Sequence, residues 1–163
     1  MATRAKVEAV TIRPAEDSDL DDVAAIERSV FNDPWSRRSF VDLVGQPQVA
    51  FLVAVDGQTV VGYAVVLLTP PESELANLAV SRLMQHQGLG RRLLREAVGA
   101  ARERGSKEMF LEVRASNAAA IALYSATGFT AVGRRVRYYA RPIEDAIVMK
   151  LDFRLQRSDR GEG

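Results

Sequence analysis

Apolar and polar positions follow two different periods along the chain, and the order of these periods predicts the secondary structure. Residues 7–13 alternate partly between apolar and polar positions, with Val7, Val10 and Ile12 apolar, and this pattern predicts a first strand. The spacing of apolar residues from Leu20 to Val30 predicts a helix, and Ser36 is placed to cap a second one. Three strands follow and are expected to form an antiparallel meander: 49–55, 60–68 and 74–80.

The second half of the chain continues this mixed pattern. One helix with an apolar stripe begins behind a glycine-containing loop, and a further helix begins at Asn117 and ends before Gly128. Strands are predicted over 109–113, 129–136 and 145–151. The complete order, β-α-α-β-β-β-α-β-α-β-β, predicts an α/β fold in which four helices cover a mixed, mostly antiparallel central sheet of about seven strands.

Length and composition place the chain among single-domain globular proteins. Its 163 residues are 47% hydrophobic and 26% charged, which suits one domain, expected over 7–153. Residues 154–163 are polar and without periodicity, so we expect a disordered tail there. No apolar run approaches the roughly 20 residues of a membrane span, and none follows the N-terminus, which predicts a cytoplasmic protein without a membrane partner.

Charge and rare residue types remove several classes of function. The 22 Lys and Arg residues balance 21 Asp and Glu residues, which argues against a protein-wide basic surface for nucleic acid. The chain has no Cys and a single His, His86, so thiol nucleophiles, Cys-ligated zinc and multi-histidine metal sites are excluded. Catalysis must therefore use carboxylates, Tyr, Lys, hydroxyls, backbone groups or a bound cofactor.

The loop Gln85-His86-Gln87-Gly88-Leu89-Gly90-Arg91 lies between a predicted strand and a predicted helix. Its glycines allow a ligand to approach backbone N–H groups at the helix start, an arrangement suited to a pyrophosphate. The loop lacks the Gly-Lys-Ser/Thr of a P-loop, and Leu93 stands where a dinucleotide fold needs a third glycine. A coenzyme A pyrophosphate site remains, beside the alternative of a tight turn with no ligand. The His86 side chain is expected either at a phosphate or in solvent.

Two side chains offer acid–base chemistry. Glu112 lies among apolar neighbours in its strand and suits a general base, with a salt bridge to Arg114 or another Arg as the alternative. Tyr124 lies on the helix that begins at Asn117, and it suits either protonation of a leaving thiolate or packing as a core aromatic. Asn117 is either a plain N-cap or an N-cap that also contacts a ligand.

Three segments resemble the GNAT superfamily of acetyl-CoA-dependent N-acetyltransferases. They are the glycine loop, the stretch Leu111-Glu112-Val113-Arg114-Ala115-Ser116-Asn117 continued through Ala122-Leu123-Tyr124, and Thr127-Gly128-Phe129. With Pro34-Trp35-Ser36, Arg137-Tyr138-Tyr139 and Glu144-Asp145-Ala146-Ile147, the chain is similar to the RimI family, the bacterial alanine N-acetyltransferases of ribosomal protein S18. The resemblance runs from Val10 to Leu151 and implies the GNAT fold.

The resemblance implies a role for each matching residue. Glu112 matches the general base and Tyr124 the general acid of a direct transfer from acetyl-CoA, in which neither an acyl-enzyme nor a metal is needed. Asn117 matches a coenzyme A contact. The strand that pairs with the pantetheine arm and polarises the thioester carbonyl is matched by Leu78, Ala79 and Val80. The pyrophosphate loop is matched by His86, Gln87, Gly88, Leu89, Gly90 and Arg91.

The resemblance also implies an acceptor, the N-terminal α-amino group of a protein, with ribosomal protein S18 expected first. Another amine (a lysine side chain, a polyamine or a small molecule) and a non-catalytic acetyl-CoA-binding module remain alternatives. The acceptor is expected between the turn at Trp35 and a loop near Tyr138, Tyr139 and Glu144, although these aromatics equally suit packing. We expect a monomer that contacts no nucleic acid directly.

Overall fold

The structure, a computed structural model, describes residues 9–155. The strands are β1 (Thr11–Pro14), β2 (Val49–Asp56), β3 (Thr59–Thr69), β4 (Glu72–Val80), β5 (Glu108–Arg114), β6 (Thr130–Ala140) and β7 (Ile143–Asp152). The helices are α1 (Leu20–Val30), α2 (Arg37–Leu43), α3 (Leu89–Glu103) and α4 (Ala118–Ala126). The predicted order of elements is confirmed. The start of the predicted first strand, 7–8, and most of the predicted tail, 156–163, lie outside the described residues.

The seven strands form one sheet in the order β1-β2-β3-β4-β5-β7-β6. β4 and β5 are parallel to each other, and the other neighbouring pairs are antiparallel. The predicted meander of β2 to β4 and the mixed, mostly antiparallel sheet are therefore confirmed, and β1 extends the meander by one strand. α3 makes the crossover from β4 to β5, because a parallel pair needs a long connection. Within residues 9–155, no helix is long and apolar enough to cross a membrane.

The sheet separates two hydrophobic cores. α3 and α4 cover one face, where Leu93, Leu94 and Met109 are fully buried. α1 and α2 cover the other face, where Val23 and Phe40 are fully buried. Burying one large apolar side chain contributes about 1.5–3 kcal/mol. α1 and α3 are therefore held mainly by their apolar stripes, whereas α2 and α4 each bury a single residue, Phe40 and Tyr124.

Gly62 on β3 allows α3 to lie close to the sheet. A Cβ atom at this position would lie 2.9 Å from Leu93 Cδ1 and 3.1 Å from the Ala79 carbonyl oxygen. Both distances are shorter than ordinary packing contacts, so the Leu93 side chain would have to move to make room for a larger residue. The missing side chain at Gly62 thus lets Leu93 of α3 pack directly on β3.

β4 contains one extra residue, Ala76. Val65 of β3 pairs with Asn77, whereas the next residue, Val66, pairs with Leu75. Ala76 therefore has no partner and forms a β-bulge, which bends the strand. The bulge also changes which side chains face each core: Leu75 packs in the α3–α4 core, whereas Asn77 faces α1.

β6 carries a wider irregularity near the turn of the β6–β7 hairpin. Arg135 pairs with Ala146 and Tyr139 with Glu144, so three residues of β6 stand opposite one residue of β7. β6 extends beyond its predicted end and continues through this irregularity to Ala140, so the loop expected near Tyr138, Tyr139 and Glu144 is the short turn at 141–142. The predicted end of the strand at 136 coincides with the start of the irregularity, where regular alternation is lost.

Candidate active site

β4 and β5 form a short parallel ladder and then separate. The ladder joins Glu72–Glu74 to Glu108–Phe110, and no pairing between these two strands follows it in the described part of the chain. Leu78, Ala79 and Val80 lie beyond the ladder, on a stretch of β4 that pairs with β3 on one side only. The β5 side of this stretch is therefore open to an extended ligand that could pair with the backbone.

The loop after β4 ends at the first turn of α3. Gly88 is the N-cap residue of α3 and has a left-handed conformation, with φ of 86°. Because glycine has no side chain, the first turn of α3 has no side-chain cap. The N–H groups of Leu89, Gly90 and Arg91 consequently lack intrahelical acceptors. A Cβ atom on Gly88 would meet nothing within 4 Å, so the space there is open. This donor set fits a diphosphate, because backbone N–H groups and the helix dipole both favour an anion.

The two glutamines of the loop are tied to neighbouring backbone. Gln85 Nε2 donates to the Val80 carbonyl at 3.1 Å, and Gln87 Nε2 donates to the Leu83 carbonyl at 3.3 Å. His86 adopts a left-handed conformation with φ of 63°, and its side chain is exposed. This placement agrees with the expectation of a solvated His86 side chain, so the ring is not needed to shape the loop.

Glu112 lies on the face of β5 opposite α3 and α4, because its neighbours Leu111 and Val113 pack in the α3–α4 core. Arg135 Nε lies 2.8 Å from Glu112 Oε1, and the Tyr138 hydroxyl also forms a hydrogen bond with the carboxylate. This hydrogen bond is the main cause that raises the pKa of Tyr138 to about 12. The salt-bridge alternative for Glu112 is therefore observed. The Glu112 side chain is still 19% exposed, so water or an acceptor can reach it.

A cavity of about 230 Å³ lies beside Glu112, and Glu74 and Arg135 are among its lining residues. Burial and the nearby Glu112 carboxylate raise the pKa of Glu74, and Arg135 opposes this effect. The sequence analysis missed both Glu74 and Arg135. Each lies in or beside a predicted strand, but their proximity to Glu112 depends on which strands are neighbours in the sheet, which the local pattern does not contain.

Tyr124 is buried on α4. Its ring packs edge-on against Phe129, with ring centroids 5.8 Å apart. Burial, with a smaller contribution from Tyr139, raises the pKa of Tyr124 to about 12. The hydroxyl therefore keeps its proton well above neutral pH, as a proton donor must. The core-packing alternative is also observed, and the two roles are compatible because packing uses the ring and proton donation uses the hydroxyl.

Arg114 and Glu144 brace the end of β5 near these groups. The Arg114 guanidinium lies over the Tyr139 ring, 4.3 Å from its centroid, and Arg114 Nη1 lies 3.3 Å from Glu144 Oε1. The Ser116 N–H donates to Glu144 Oε2 at 2.6 Å. Hydrogen bonding by Ser116 is the first cause that holds the pKa of Glu144 below its usual value. Arg114, which the sequence offered as a partner of Glu112, is thus engaged elsewhere.

Asn117 caps α4, as predicted. Its Oδ1 atom accepts a hydrogen bond from the Ala120 N–H at 3.1 Å. The amide nitrogen of this exposed side chain takes no part in the cap bond, so the cap and a ligand contact do not compete.

The turn before α2 and the β6–β7 hairpin approach each other at the surface. Arg141 Nη2 of the hairpin lies 3.4 Å from Asp33 Oδ1 of the turn. Trp35 in the same turn is half-buried and packs against Phe40, with ring centroids 5.4 Å apart. Packing therefore accounts for the Trp35 ring, whereas the Tyr138 side chain is 50% exposed and available to an acceptor.

Comparison with known proteins places this arrangement in a family. The family model described as acetyltransferase (GNAT) family matches residues 20–129. The chain belongs to the GNAT acetyltransferase family. The predicted GNAT fold and the predicted enzyme class, an N-acetyltransferase, are thereby confirmed.

This GNAT enzyme is similar to proteins of the RimI type. It is 38% identical over 143 residues to the [ribosomal protein bS18]-alanine N-acetyltransferase of Escherichia coli K12, which covers 86% of this chain and 96% of that protein. It is 39% identical over 154 residues to the N-alpha-acetyltransferase RimI of Mycobacterium tuberculosis, covering 91% and 96%. The crystal structure of the E. coli enzyme superposes with a TM-score of 0.81 at 36% identity, covering 88% of this chain and 93% of that one. The predicted resemblance to RimI is confirmed.

In this GNAT enzyme the predicted site residues fall into two groups. The candidate donor-binding group lies along the open part of β4 and the start of α3, and consists of Leu78, Ala79, Val80, His86, Gln87, Gly88, Leu89, Gly90 and Arg91. The candidate catalytic group, Glu112 and Tyr124, lies on β5 and α4 with Asn117 at the α4 cap. Burial is the main cause that raises the pKa values of both Tyr124 and Tyr139, with smaller contributions from Tyr139 at Tyr124 and from Glu112 at Tyr139.

Proposed function

We propose that this GNAT enzyme transfers the acetyl group of acetyl-CoA to the N-terminal α-amino group of a protein, with the N-terminal alanine of ribosomal protein bS18 as the first acceptor. The observation that carries the proposal is the 38% identity to the E. coli bS18-alanine N-acetyltransferase over 96% of that enzyme. Because ribosomal proteins are synthesised in the cytoplasm, the proposal places the reaction there. The oligomeric state, expected to be monomeric, stays a prediction.

The open stretch of β4 and the start of α3 would hold acetyl-CoA. The N–H groups of Leu89, Gly90 and Arg91 suit its diphosphate, and the unpaired side of β4 at Leu78 and Val80 suits its pantetheine arm. A backbone N–H of β4 would then donate to the thioester oxygen and stabilise the charge that develops on it. When bound, acetyl-CoA supplies the activated acetyl group.

Glu112 would act on the acceptor. An α-amino group has a pKa near 8, so a large share of it is protonated at neutral pH and cannot attack. Glu112 would accept one of its protons, directly or through a water, and the free amine would form the new N–C bond. The Arg135 partner of Glu112 is mostly exposed, so it can move away when the acceptor binds.

Tyr124 would act on the leaving group. As the C–S bond breaks, its hydroxyl would donate a proton to the departing thiolate. The pKa of about 12 suits this role, because the hydroxyl is still protonated when the thiolate forms. The nitrogen, which is positively charged after it attacks, loses its second proton to water as the amide forms. The proton held by Glu112 then restores Tyr124, so the net reaction releases one proton to solvent.

Mass spectrometry of peptides with different N-termini, incubated with the enzyme and acetyl-CoA, tests the proposed function. We expect acetylation at the α-amino group of a peptide that begins Ala-Arg, and much slower modification of the same peptide when its N-terminus is blocked and an internal lysine is offered. Faster modification of lysine, a polyamine or a small amine would identify another acceptor class. Heat of acetyl-CoA binding without any transfer would indicate a non-catalytic module.

A further inference from the structure

Glu27 on α1 is a buried carboxylate that the proposed mechanism does not use. Its residue is 2% exposed, and both carboxylate oxygens accept hydrogen bonds. Oε2 accepts from the Trp35 N–H at 2.8 Å. Oε1 accepts from Asn77 Nδ2 at 2.8 Å and from the Tyr63 hydroxyl. Proximity to Glu27 adds to burial in raising the pKa of Tyr63, so that hydroxyl remains a donor.

Two of the three donors belong to opposite sides of the site, and the third lies behind them on β3. Trp35 lies in the turn between α1 and α2, which forms one side of the expected acceptor groove. Asn77 follows the Ala76 bulge on β4, the strand proposed to hold the thioester. Tyr63 lies on β3 opposite Ala79 of β4. One carboxylate therefore joins the acceptor side of the site to its donor side through direct hydrogen bonds.

Other contacts reach the same region from outside. The Asp33–Arg141 pair is 45% and 79% exposed, so solvent screens its attraction, and Arg82 donates to the Ser29 carbonyl at the end of α1 rather than to the turn. Hydrogen bonds to the buried Glu27 carboxylate are not screened in this way, and charge-assisted bonds are about twice as strong as neutral ones. Beside the packing of the Trp35 ring on Phe40, Glu27 therefore gives the turn its buried polar contact with β4.

We propose that Glu27 is a positioning residue, which holds the turn at Trp35 against β4 so that the acceptor amine meets the thioester in one geometry. This inference rests on the proposed function. A loss of this link would let the turn move relative to β4 while β4 and the start of α3, which hold the donor, stay in place. A shift of about 1 Å between reacting groups can cost on the order of a hundredfold in rate.

Glu27→Met and Glu27→Gln test the proposal, with Tyr63→Phe as a matched control. Met has a similar length and accepts none of the three bonds, whereas Gln keeps one acceptor oxygen. Tyr63→Phe removes one donor to the same carboxylate and leaves the Trp35 and Asn77 bonds intact. The KM of an Ala-initiated peptide, kcat, and the acetyl-CoA Kd by calorimetry are measured well below the thermal midpoint of each variant.

We expect the peptide KM to rise about tenfold and kcat to fall in Glu27→Met, with smaller changes in Glu27→Gln and with the acetyl-CoA Kd within about twofold of wild type. Tyr63→Phe should keep the wild-type peptide KM. An unchanged peptide KM in folded Glu27→Met, or an equal loss of peptide and acetyl-CoA affinity, would overturn the positioning role. If Glu27→Met does not fold, an unchanged peptide KM in Glu27→Gln would overturn the positioning role instead. Absence of transfer by the wild-type enzyme would instead refute the proposed function.

Discussion

Glu112 and Arg135 form an ion pair in which the carboxylate is mostly enclosed and the guanidinium is mostly in solvent. We expect Glu112→Gln to lower kcat by about a hundredfold or more, because an amide cannot accept the proton of the acceptor amine. The acetyl-CoA Kd should stay within about twofold, since Glu112 lies on β5 rather than on the donor-binding strand. Steady-state kinetics and calorimetry on the same preparation measure both quantities.

Glu108→Gln is the matched control for this substitution. Glu108 lies on the same strand, pairs with Lys150 at 3.0 Å, and has a side chain 23% exposed against 19% for Glu112. The Glu108→Gln variant should lose an ion pair of similar burial and keep the wild-type kcat. A wild-type kcat in Glu112→Gln, or an equal decrease in Glu108→Gln, would remove Glu112 from the mechanism.

Tyr124 offers a second test at the residue scale. We expect Tyr124→Phe to lower kcat by roughly 10-fold to 100-fold, because the departing thiolate loses its proton donor. The thermal midpoint should change little, because the ring can still pack against Phe129. Tyr63→Phe removes a buried hydroxyl from the opposite core and should leave kcat unchanged. Full activity in Tyr124→Phe would leave Tyr124 with its packing role alone.

The role of a single residue could be predicted from the sequence where its bonding partners lie only a few positions away along the chain. The caps at Ser36 and Asn117 were predictable because a cap bonds to an N–H only a few positions away. Glu27 was not, because the helical stripe explains its apolar neighbours and gives no reason for a carboxylate among them. Its three donors come from a turn and two strands, and only the folded sheet brings them together.

At the scale of elements, substitutions of two glycines in the glycine loop and in α3 test acetyl-CoA binding separately from the stability of the fold. Gly88→Ala places a side chain at a φ of 86°, a conformation that costs other residues about 1–2 kcal/mol. The first turn of α3 should then shift, and we expect the acetyl-CoA Kd to rise about tenfold in calorimetry. Because the strained residue lies at the helix start, the free energy of unfolding should fall as well.

Gly99→Ala is the control within the same helix. Gly99 lies inside α3, and a Cβ atom there would meet nothing within 4 Å. We expect Gly99→Ala to raise the free energy of unfolding by about 0.5–1 kcal/mol without changing the acetyl-CoA Kd. Equal Kd values in Gly88→Ala and Gly99→Ala would contradict the role of the loop.

The sequence predicted the elements better than their irregularities. Period and turn residues predicted all seven strands and four helices in order, because each element carries its own pattern. The bulge at Ala76 and the irregularity before Tyr139 were missed, since a bulge is defined by the register with a neighbouring strand. Both irregularities lie at the site, so the sequence predicted the scaffold more fully than the geometry of the candidate active site.

For the whole molecule, the four tyrosines predict how stability depends on alkaline pH. All four have raised pKa values: burial is the first cause at Tyr63, Tyr124 and Tyr139, and the hydrogen bond to Glu112 is the first cause at Tyr138. An unfolded tyrosine ionises near pH 10. Above that pH the unfolded chain releases protons that the folded protein retains, so the free energy of unfolding must fall.

We therefore expect the tyrosines to make a constant contribution to the free energy of unfolding below about pH 10. Between about pH 10 and 12 the free energy of unfolding should decline, by up to about 1.4 kcal/mol per pH unit for each buried tyrosine. Denaturant unfolding at pH 9, 10 and 11 measures the decline, and Tyr124→Phe should reduce its slope. A rise of tyrosinate absorbance near pH 10 in protein that still has native near-ultraviolet circular dichroism would contradict the raised pKa values.

The extra residue in β4 changes the path of the strand without changing the partners on either side of it. If Ala76 were removed, Leu75 would still stand opposite Val66 and Asn77 opposite Val65, so Asn77 would still face Glu27. The deletion would take away only the local bend, and we expect a folded protein whose open stretch of β4 is aimed differently relative to β5. Deletion of a paired residue such as Leu78 would instead turn the rest of the strand over and place Val80 on the wrong face.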